Sequence, residues 1–131
     1  MTVSHALAIA AAGAVGTLAR AAANELSLRL FGPNFPWSTL AVNVAGSFCF
    51  GLVVGLGRDR SLVPAGHETV ILVGLLGGFT TFSSFAWQSV ELVAAGRAAV
   101  AAGYVIVTNA TAIAAAWLGL VVAASWIGES P

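Results

Sequence analysis

The chain has 131 residues, of which 59% are hydrophobic and 8% are charged, and its acidic and basic residues balance. This composition is too apolar for a soluble domain of that length, so we expect a single membrane-embedded domain covering residues 1–131. Lysine is absent and no basic cluster is present, which excludes nucleic acid as a partner. The lone cysteine, Cys49, excludes an intrachain disulfide and a cysteine-rich metal site.

Four apolar segments follow one another along the chain, separated by turn-forming residues. A transmembrane helix needs about 20 predominantly apolar residues, and each segment is long enough. We therefore predict an all-α, multi-pass membrane protein with four transmembrane helices in contact with lipid. The predicted helices run from Val3 to Leu30, from Trp37 to Gly57, from Glu68 to Ala95 and from Ala98 to Ile127.

The first segment contains an arginine, Arg20, with Asn24 one turn further on and Glu25 nearby. A charged side chain inside a membrane span usually faces an aqueous cavity or a partner. We interpret Arg20 as part of a vestibule that attracts anions. The alternative is that its long side chain reaches the nearer membrane surface.

The second segment carries Thr39, Asn43 and Ser47 at every fourth position, so the three share one helix face. An unpaired asparagine amide is costly in lipid, so Asn43 must face protein or water. This face either lines a pore or bonds to a neighbouring helix.

The third segment contains the most informative stretch of the chain, residues 77–85 (GGFTTFSSF). Glycine, threonine and serine are poor helix formers, so we predict that this helix breaks at mid-membrane, within residues 77–80. A break in a membrane helix survives only where protein covers the freed backbone groups or where they line an ion or water site. The carbonyl oxygens freed at the break would suit a hard cation.

Phe82 and Phe85 follow the break, with the hydroxyls of Ser83 and Ser84 between them. The edge of an aromatic ring carries partial positive charge and can meet an anion without trapping it. Simple packing is the alternative for both rings. On the fourth segment, Tyr104 and Thr108 share a face; interfacial placement of the tyrosine and bonding of the threonine to its own helix are the alternatives.

The arginines do not favour either orientation in the membrane. Arg58 and Arg60 would lie on one side, and Arg29 and Arg97 on the other. Because basic loops set orientation, this balance predicts insertion both ways and pairing of two opposite copies as an antiparallel dimer. The alternative is one orientation set by weaker cues.

Three motifs, in order, resemble those of the small dual-topology fluoride channel family (Fluc/CrcB). Residues 13–20 (GAVGTLAR) resemble its glycine-rich first-helix pattern, and residues 37–46 (WSTLAVNVAG) resemble its second-helix pattern with the asparagine. Residues 77–85 closely resemble its third-helix motif, which is specific. The resemblance covers essentially the whole chain.

The resemblance implies an antiparallel homodimer in a bacterial inner membrane, with two pores for passive fluoride efflux. It also implies a structural Na⁺ at the dimer centre, held by the backbone carbonyls of Gly77 and Thr80 and not transported. The implied pore residues are Asn43, Phe82, Phe85, Thr39, Ser83, Tyr104 and Thr108, with Arg20 in the vestibule. The chain departs from the family at Ala112, where a hydroxyl is frequent, and at Gln88, where relatives can have a glutamate.

Other function classes explain fewer of these features. A small multidrug-type exporter, also often dual-topology, needs a membrane-embedded carboxylate, and Glu25 lies towards one end of its segment. A scaffolding subunit would not explain why Arg20, Asn43 and the break occur together. An enzyme is the least favoured class, because His5 and His67 lie at segment edges without an evident nucleophile or metal cluster.

Overall fold

The computed structural model describes residues 1–57 and 62–128, and every regular element in these two ranges is helical. Four helical spans are long and apolar enough to cross a membrane, as the sequence predicts, and the protein is an integral, multi-pass membrane protein. The elements are α1 (Val3–Phe31), α2 (Trp37–Leu56), α3 (Ala65–Thr69), the π-helical segment (Val70–Leu76), α4 (Gly77–Phe79), α5 (Phe82–Ala94) and α6 (Ala98–Ile127). The third span comprises α3, the π-helical segment, α4 and α5.

The helix ends follow from local chemistry. The Thr2 hydroxyl accepts a hydrogen bond from the His5 amide and caps the start of α1. Gly32 ends α1 with a φ of 71° and donates its amide to the Leu28 carbonyl. Gly96, with a φ of 74°, allows the short connection between α5 and α6 that the sequence predicts.

The α2 and α6 helices form the most extensive helix pair and touch backbone to backbone. A Cβ on Gly51 would lie 1.9 Å from the Ala116 carbonyl oxygen, and one on Gly119 would lie 2.1 Å from the Phe48 carbonyl oxygen. Small residues permit this close approach. In a membrane no hydrophobic effect drives helices together, so van der Waals contact between closely packed helices stabilises the pair instead. The small-residue positions at Gly51 and Gly55 therefore serve packing within the chain.

The α1 helix packs in the same way on the first half of the third span. A Cβ on Gly16 would lie 2.1 Å from the Leu75 carbonyl oxygen, and one on Gly78 would lie 2.5 Å from the Gly13 carbonyl oxygen. The π-helical segment lies in this contact, and its end is marked by the Gly77 amide donating to the Leu72 carbonyl five residues earlier. The backbones of α1 and α4 are thus in direct contact just before the break.

The break in the third span is present, and it lies at Thr80 and Thr81, which are the last residue of the predicted range 77–80 and the residue after it. Thr80 (φ −80°, ψ 158°) and Thr81 (φ −151°, ψ 110°) are extended, whereas Gly77 (φ −62°, ψ −36°) is helical. The physical reason is that Gly78 is needed for close packing on α1, while the Thr81 hydroxyl accepts from the Ser84 amide and starts α5. The glycines approach a neighbour, and the threonines interrupt the helix.

Large apolar side chains cover much of the outer surface, as expected for a chain in lipid. Leu18, Val73, Ile113 and Trp117 are each more than 60% exposed. The interior instead centres on a small cluster of Phe85, Leu92, Ala101 and Tyr104. Cys49 is also exposed on the chain.

Candidate functional site

Asn43 covers the break from α2. Its Oδ1 accepts from the Thr81 amide at 2.8 Å, and its Nδ2 donates to the Thr81 carbonyl at 3.1 Å. The extended Thr81 backbone loses both helical partners, and one amide side chain replaces them. Asn43 therefore bonds to a neighbouring segment, which is one of the two interpretations that the sequence leaves open.

Arg20 covers the break from α1. Its Nε donates to the Gly78 carbonyl at 3.1 Å, and the side chain is half-buried. In a continuous helix this carbonyl would accept from the Phe82 amide. Arg20 thus takes the place of a lost helical bond.

Three other carbonyl oxygens at the break keep no donor. Within the described ranges, no hydrogen bond reaches the carbonyl oxygens of Gly77, Phe79 or Thr80. The Thr80 hydroxyl does not help, because it bonds back to the Leu76 carbonyl at 2.9 Å. The described residues also contain no cluster of His, Cys, Asp or Glu that could hold a metal. Backbone oxygens are therefore the available ligands for a cation here.

A cavity of about 330 Å³ opens beside the break, between α2, α5 and α6. Its walls carry hydroxyls, amides and aromatic rings, and no charged side chain is among its lining residues. The lining consists of Asn43, Gly46, Ser47, Phe50, Thr80, Thr81, Phe82, Phe85, Thr108, Asn109, Ala112 and Ala116. The cavity is open to one side, where Phe82 is 76% exposed.

Aromatic rings continue from this cavity into the interior. The Phe82 and Phe85 ring centroids are 5.6 Å apart, and those of Phe85 and Tyr104 are 5.3 Å apart. Phe35, from the α1–α2 connection, meets the Tyr104 ring edge-on at 5.4 Å. Such tilted and edge-to-face pairs are favourable and hold the rings in defined orientations.

A second cavity, of about 290 Å³, lies at the carboxyl-terminal end of α5 near the α1–α2 connection. Gln88 lines it, and the Gln88 Oε1 accepts from the Tyr104 hydroxyl at 3.1 Å. Thr39 is buried and lies next to Tyr104. Thr39, Tyr104 and Gln88 thus form a polar contact in the interior, close to Phe85.

A model of the family described as "CrcB-like protein, Camphor Resistance (CrcB)" matches residues 7–120. The chain belongs to the CrcB-like family. It is 43% identical to the fluoride-specific ion channel FluC of Agrobacterium fabrum over 86% of this chain and 90% of that one. It is 40% identical to FluC of Cereibacter sphaeroides over 95% of this chain and 98% of that one. FluC of Opitutus terrae is 41% identical over 89% of this chain and 90% of its own length.

Five of the site residues implied by the family resemblance line the first cavity: Asn43, Thr80, Phe82, Phe85 and Thr108. Thr39 and Tyr104 are buried next to it but do not line it. Ser83 is exposed, and its hydroxyl lies 3.4 Å from that of Thr81. Arg20 and Gly77 lie outside the lining, on the α1 side of the break.

The Thr108 Oγ1 is buried without a hydrogen-bond partner. Among the residues that the structure describes, it is the one polar side-chain atom of this kind. A buried hydroxyl without a hydrogen bond is unfavourable by about 1–3 kcal/mol, so an unpaired one at a cavity wall indicates a missing ligand or water. Beyond Thr108 and Asn109, the α6 wall is apolar at Ala112 and Ala116. The departure at Ala112 therefore leaves the cavity without a hydroxyl there.

Thr81 is the site residue that the sequence analysis missed. It lines the cavity, binds Asn43 through both backbone groups and caps α5. A usable signal was present, because threonine is a favoured N-cap residue and Thr81 directly precedes the apolar residues that resume the helix.

Proposed function

We propose that this protein is a fluoride-selective ion channel that lets fluoride leave the cytoplasm passively and thereby lowers its toxicity. The observation that carries this proposal is the uncharged cavity at the break, lined by hydroxyl, amide and aromatic groups. Channel relatives named fluoride-specific support the choice of ion. A channel, rather than an enzyme, also agrees with the membership of the CrcB-like family.

The chemistry of the lining suits a small anion that must pass quickly. The Thr108 hydroxyl has no other partner, and the second Nδ2 hydrogen of Asn43 is not used by Thr81. Together with the ring edges of Phe82 and Phe85, these groups supply weak donors at several points. Weak, repeated binding allows an ion to leave as readily as it enters.

We further propose that two copies pair in opposite orientations and form two such pores. The support is that the cavity is open and Phe82 is largely exposed on the single chain, so a second copy is needed to close the wall. The arginine balance behind this proposal includes Arg58 and Arg60, which lie outside the described residues. Thr39, Ser83 and Tyr104 would then lie along the route, and Arg20 would supply positive charge at the vestibule.

A structural Na⁺ at the centre of the dimer completes the proposal. The residues present fit such an ion, because the carbonyl oxygens of Gly77 and Thr80 have no donor within the described chain. When bound, Na⁺ would neutralise the partial negative charge of these oxygens. Arg20 and Asn43 hold the neighbouring carbonyls, so that the chain itself sets which oxygens remain available.

The exporter alternative loses support from the structure. The Glu25 carboxylate forms an exposed ion pair with Arg29 one turn away on α1. A proton-coupled exporter needs a carboxylate facing the transport route instead. Glu25 has no contact with either cavity.

Reconstituted protein tests the function directly. Liposomes loaded with fluoride should empty down the gradient when charge is compensated, while chloride-loaded liposomes should not. Tracer ²²Na⁺ measured in parallel should not move with fluoride, because the central ion is structural. Equal chloride efflux, or a strict need for a proton gradient, would overturn the channel; coupled Na⁺ movement would turn the central site into a transport site.

A further inference from the structure

The Arg20 Nε donates a directional hydrogen bond to the Gly78 carbonyl beside the break. A positive charge that only attracts anions would not need this bond. We propose that Arg20 is a positioning residue for the central cation site, and that its Nε–H bond to Gly78 performs this role independently of its charge. The inference rests on the proposed function, because it concerns the Na⁺ assigned there. The observation behind it differs from the one behind the proposed function. It is a directional hydrogen bond from Arg20 on α1 to Gly78, which lies 58 positions later in the chain.

The bond sorts the oxygens of the break into two classes. The Gly78 carbonyl accepts from Arg20 at 3.1 Å and the Thr81 carbonyl accepts from Asn43 at 3.1 Å, whereas those of Gly77 and Thr80 accept from no donor among the residues that the structure describes. A carbonyl already bonded to a guanidinium is a poorer cation ligand, because its negative end is partly neutralised. Along residues 77–81, the two engaged oxygens, of Gly78 and Thr81, thus each follow a proposed ligand, and Phe79 is a third residue whose carbonyl has no donor in the described chain.

The surrounding packing makes this bond part of a rigid contact. The α1 and α4 backbones touch at Gly78, where an added Cβ would lie 2.5 Å from the Gly13 carbonyl oxygen. The Arg20 bond adds a second contact between α1 and the same residue, two turns further along α1. The bond therefore holds in place the short α4 segment that also carries the Gly77 carbonyl, a proposed ligand.

Two substitutions separate the hydrogen bond from the charge. Glutamine carries an amide nitrogen as many bonds from Cα as the arginine Nε, so Arg20→Gln keeps a donor there and loses the charge. Lysine has a methylene at that position and its ammonium one bond further out, so Arg20→Lys keeps the charge and has no donor at the Nε position. Arg29, exposed and paired with Glu25 on the same helix, offers Arg29→Gln and Arg29→Lys as matched controls.

The test measures the thermal unfolding midpoint of the purified full-length protein in detergent against Na⁺ concentration, with choline as the replacement cation. We expect Arg20→Lys to raise the half-saturating Na⁺ concentration about fivefold to tenfold, the effect of losing one hydrogen bond of about 1 kcal/mol or slightly more. Arg20→Gln should not raise it. Both Arg29 controls should behave like the unmodified protein.

Fluoride efflux from liposomes adds a second readout. Raising Na⁺ should recover flux in Arg20→Lys, whereas Arg20→Gln should conduct less at every Na⁺ concentration because the vestibule has lost its charge. If Arg20→Lys gives no folded dimer at low Na⁺, high Na⁺ should restore the dimer, and failure to do so would overturn the inference.

Three results would count against the inference in different ways. An Arg20→Lys variant with an unchanged Na⁺ requirement would overturn it. So would equal increases in both Arg20 variants, because loss of native side-chain packing would then explain both. If the unfolding midpoint of the unmodified protein does not depend on Na⁺, the cation site of the proposed function would be overturned instead. The liposome efflux assay would still test fluoride conduction separately.

Discussion

Asn43 satisfies both backbone groups of Thr81 with a single side chain. Removing it would leave two unpaired backbone groups, each unfavourable by about 1–3 kcal/mol where water is excluded. The sequence predicts a role for Asn43 in ion passage, and the structure adds a role in holding the break. Because flux and folding would change together in Asn43 variants, other cavity residues give clearer tests.

Phe82 and Phe85 allow the ring edge to be tested apart from stability. Replacing either by isoleucine keeps an apolar side chain and removes the polarised edge, so fluoride flux should fall at least about tenfold in both. Only Phe85→Ile should lower the free energy of unfolding, by about 1 kcal/mol, because Phe85 is buried and Phe82 is exposed. Liposome efflux and thermal unfolding measure the two effects.

Phe31→Ile is the matched control for these rings. Phe31 is exposed, and it packs on Trp37 away from the first cavity. It should leave flux unchanged. Normal conduction by both Phe82→Ile and Phe85→Ile would mean that the rings only pack and that the ion passes elsewhere.

A substitution at Thr108 should lower fluoride flux without lowering stability, in contrast to Phe85→Ile. Thr108→Val keeps the shape and removes a buried hydroxyl that has no partner, so stability should stay equal or rise. Fluoride flux should fall because the cavity loses a donor. Thr111→Val is the control, since the Thr111 hydroxyl bonds to the Val107 carbonyl of its own helix. Unchanged flux in Thr108→Val would remove Thr108 from the pathway.

At the scale of the elements, backbone contact between helices organises the molecule. The α2–α6 pair and the contact of α1 with the π-helical segment both depend on glycines whose Cβ would overlap a carbonyl oxygen. The cavity lies between α2, α5 and α6, so its shape depends on how closely α2 approaches α6. The glycine contacts thus position the cavity walls without contributing a donor.

Gly51 tests this dependence. A Cβ at Gly51 would lie 1.9 Å from the Ala116 carbonyl oxygen, so Gly51→Ala must push α2 away from α6. We expect destabilisation by about 1–3 kcal/mol, measured by thermal unfolding in detergent. Gly103→Ala on α6 is the control: nothing lies within 4 Å, so it should be neutral or stabilising by up to about 1 kcal/mol. A neutral Gly51→Ala would show that the two helices can separate freely.

At the scale of the whole molecule, the single chain leaves two features of the proposed channel uncovered. The first cavity is open on the side of Phe82, and the free carbonyls of Gly77 and Thr80 belong to a segment whose Gly77 is exposed. A second copy would cover both features. Opposite orientation brings equivalent residues together about an axis in the membrane plane.

Dual orientation is testable in cells. A Cys49→Ser background removes the exposed native thiol, and Leu62→Cys then places one exposed thiol beside the connection between the second and third spans. If the protein inserts both ways, a membrane-impermeant maleimide should label this thiol partly from outside intact cells and completely after permeabilisation. Labelling of all copies from one side, or of none from outside, would refute dual topology.

The sequence by itself determined the four helices and the composition of the site. Hydropathy and turn-forming residues are local signals, and the fourth helix runs from Ala98 to Ile127 as predicted. Spacing by four residues places Thr39 and Asn43 on one face, and the GGFTTFSSF stretch predicts an interrupted helix. These properties depend on backbone propensity and on the cost of polar groups in lipid. Both are determined by residues that are close together along the chain.

Only the tertiary structure decided where the helix breaks and how the break is satisfied. Which glycines must remain helical depends on the approach of α1, and the Thr81 and Gly78 carbonyls find their donors 38 and 58 residues away. The outward position of Ser83 and the burial of Thr39 and Tyr104 beside the cavity follow from the same packing. Local sequence determines that backbone groups lose their helical partners, but the partner that replaces each one depends on which distant helix packs against it.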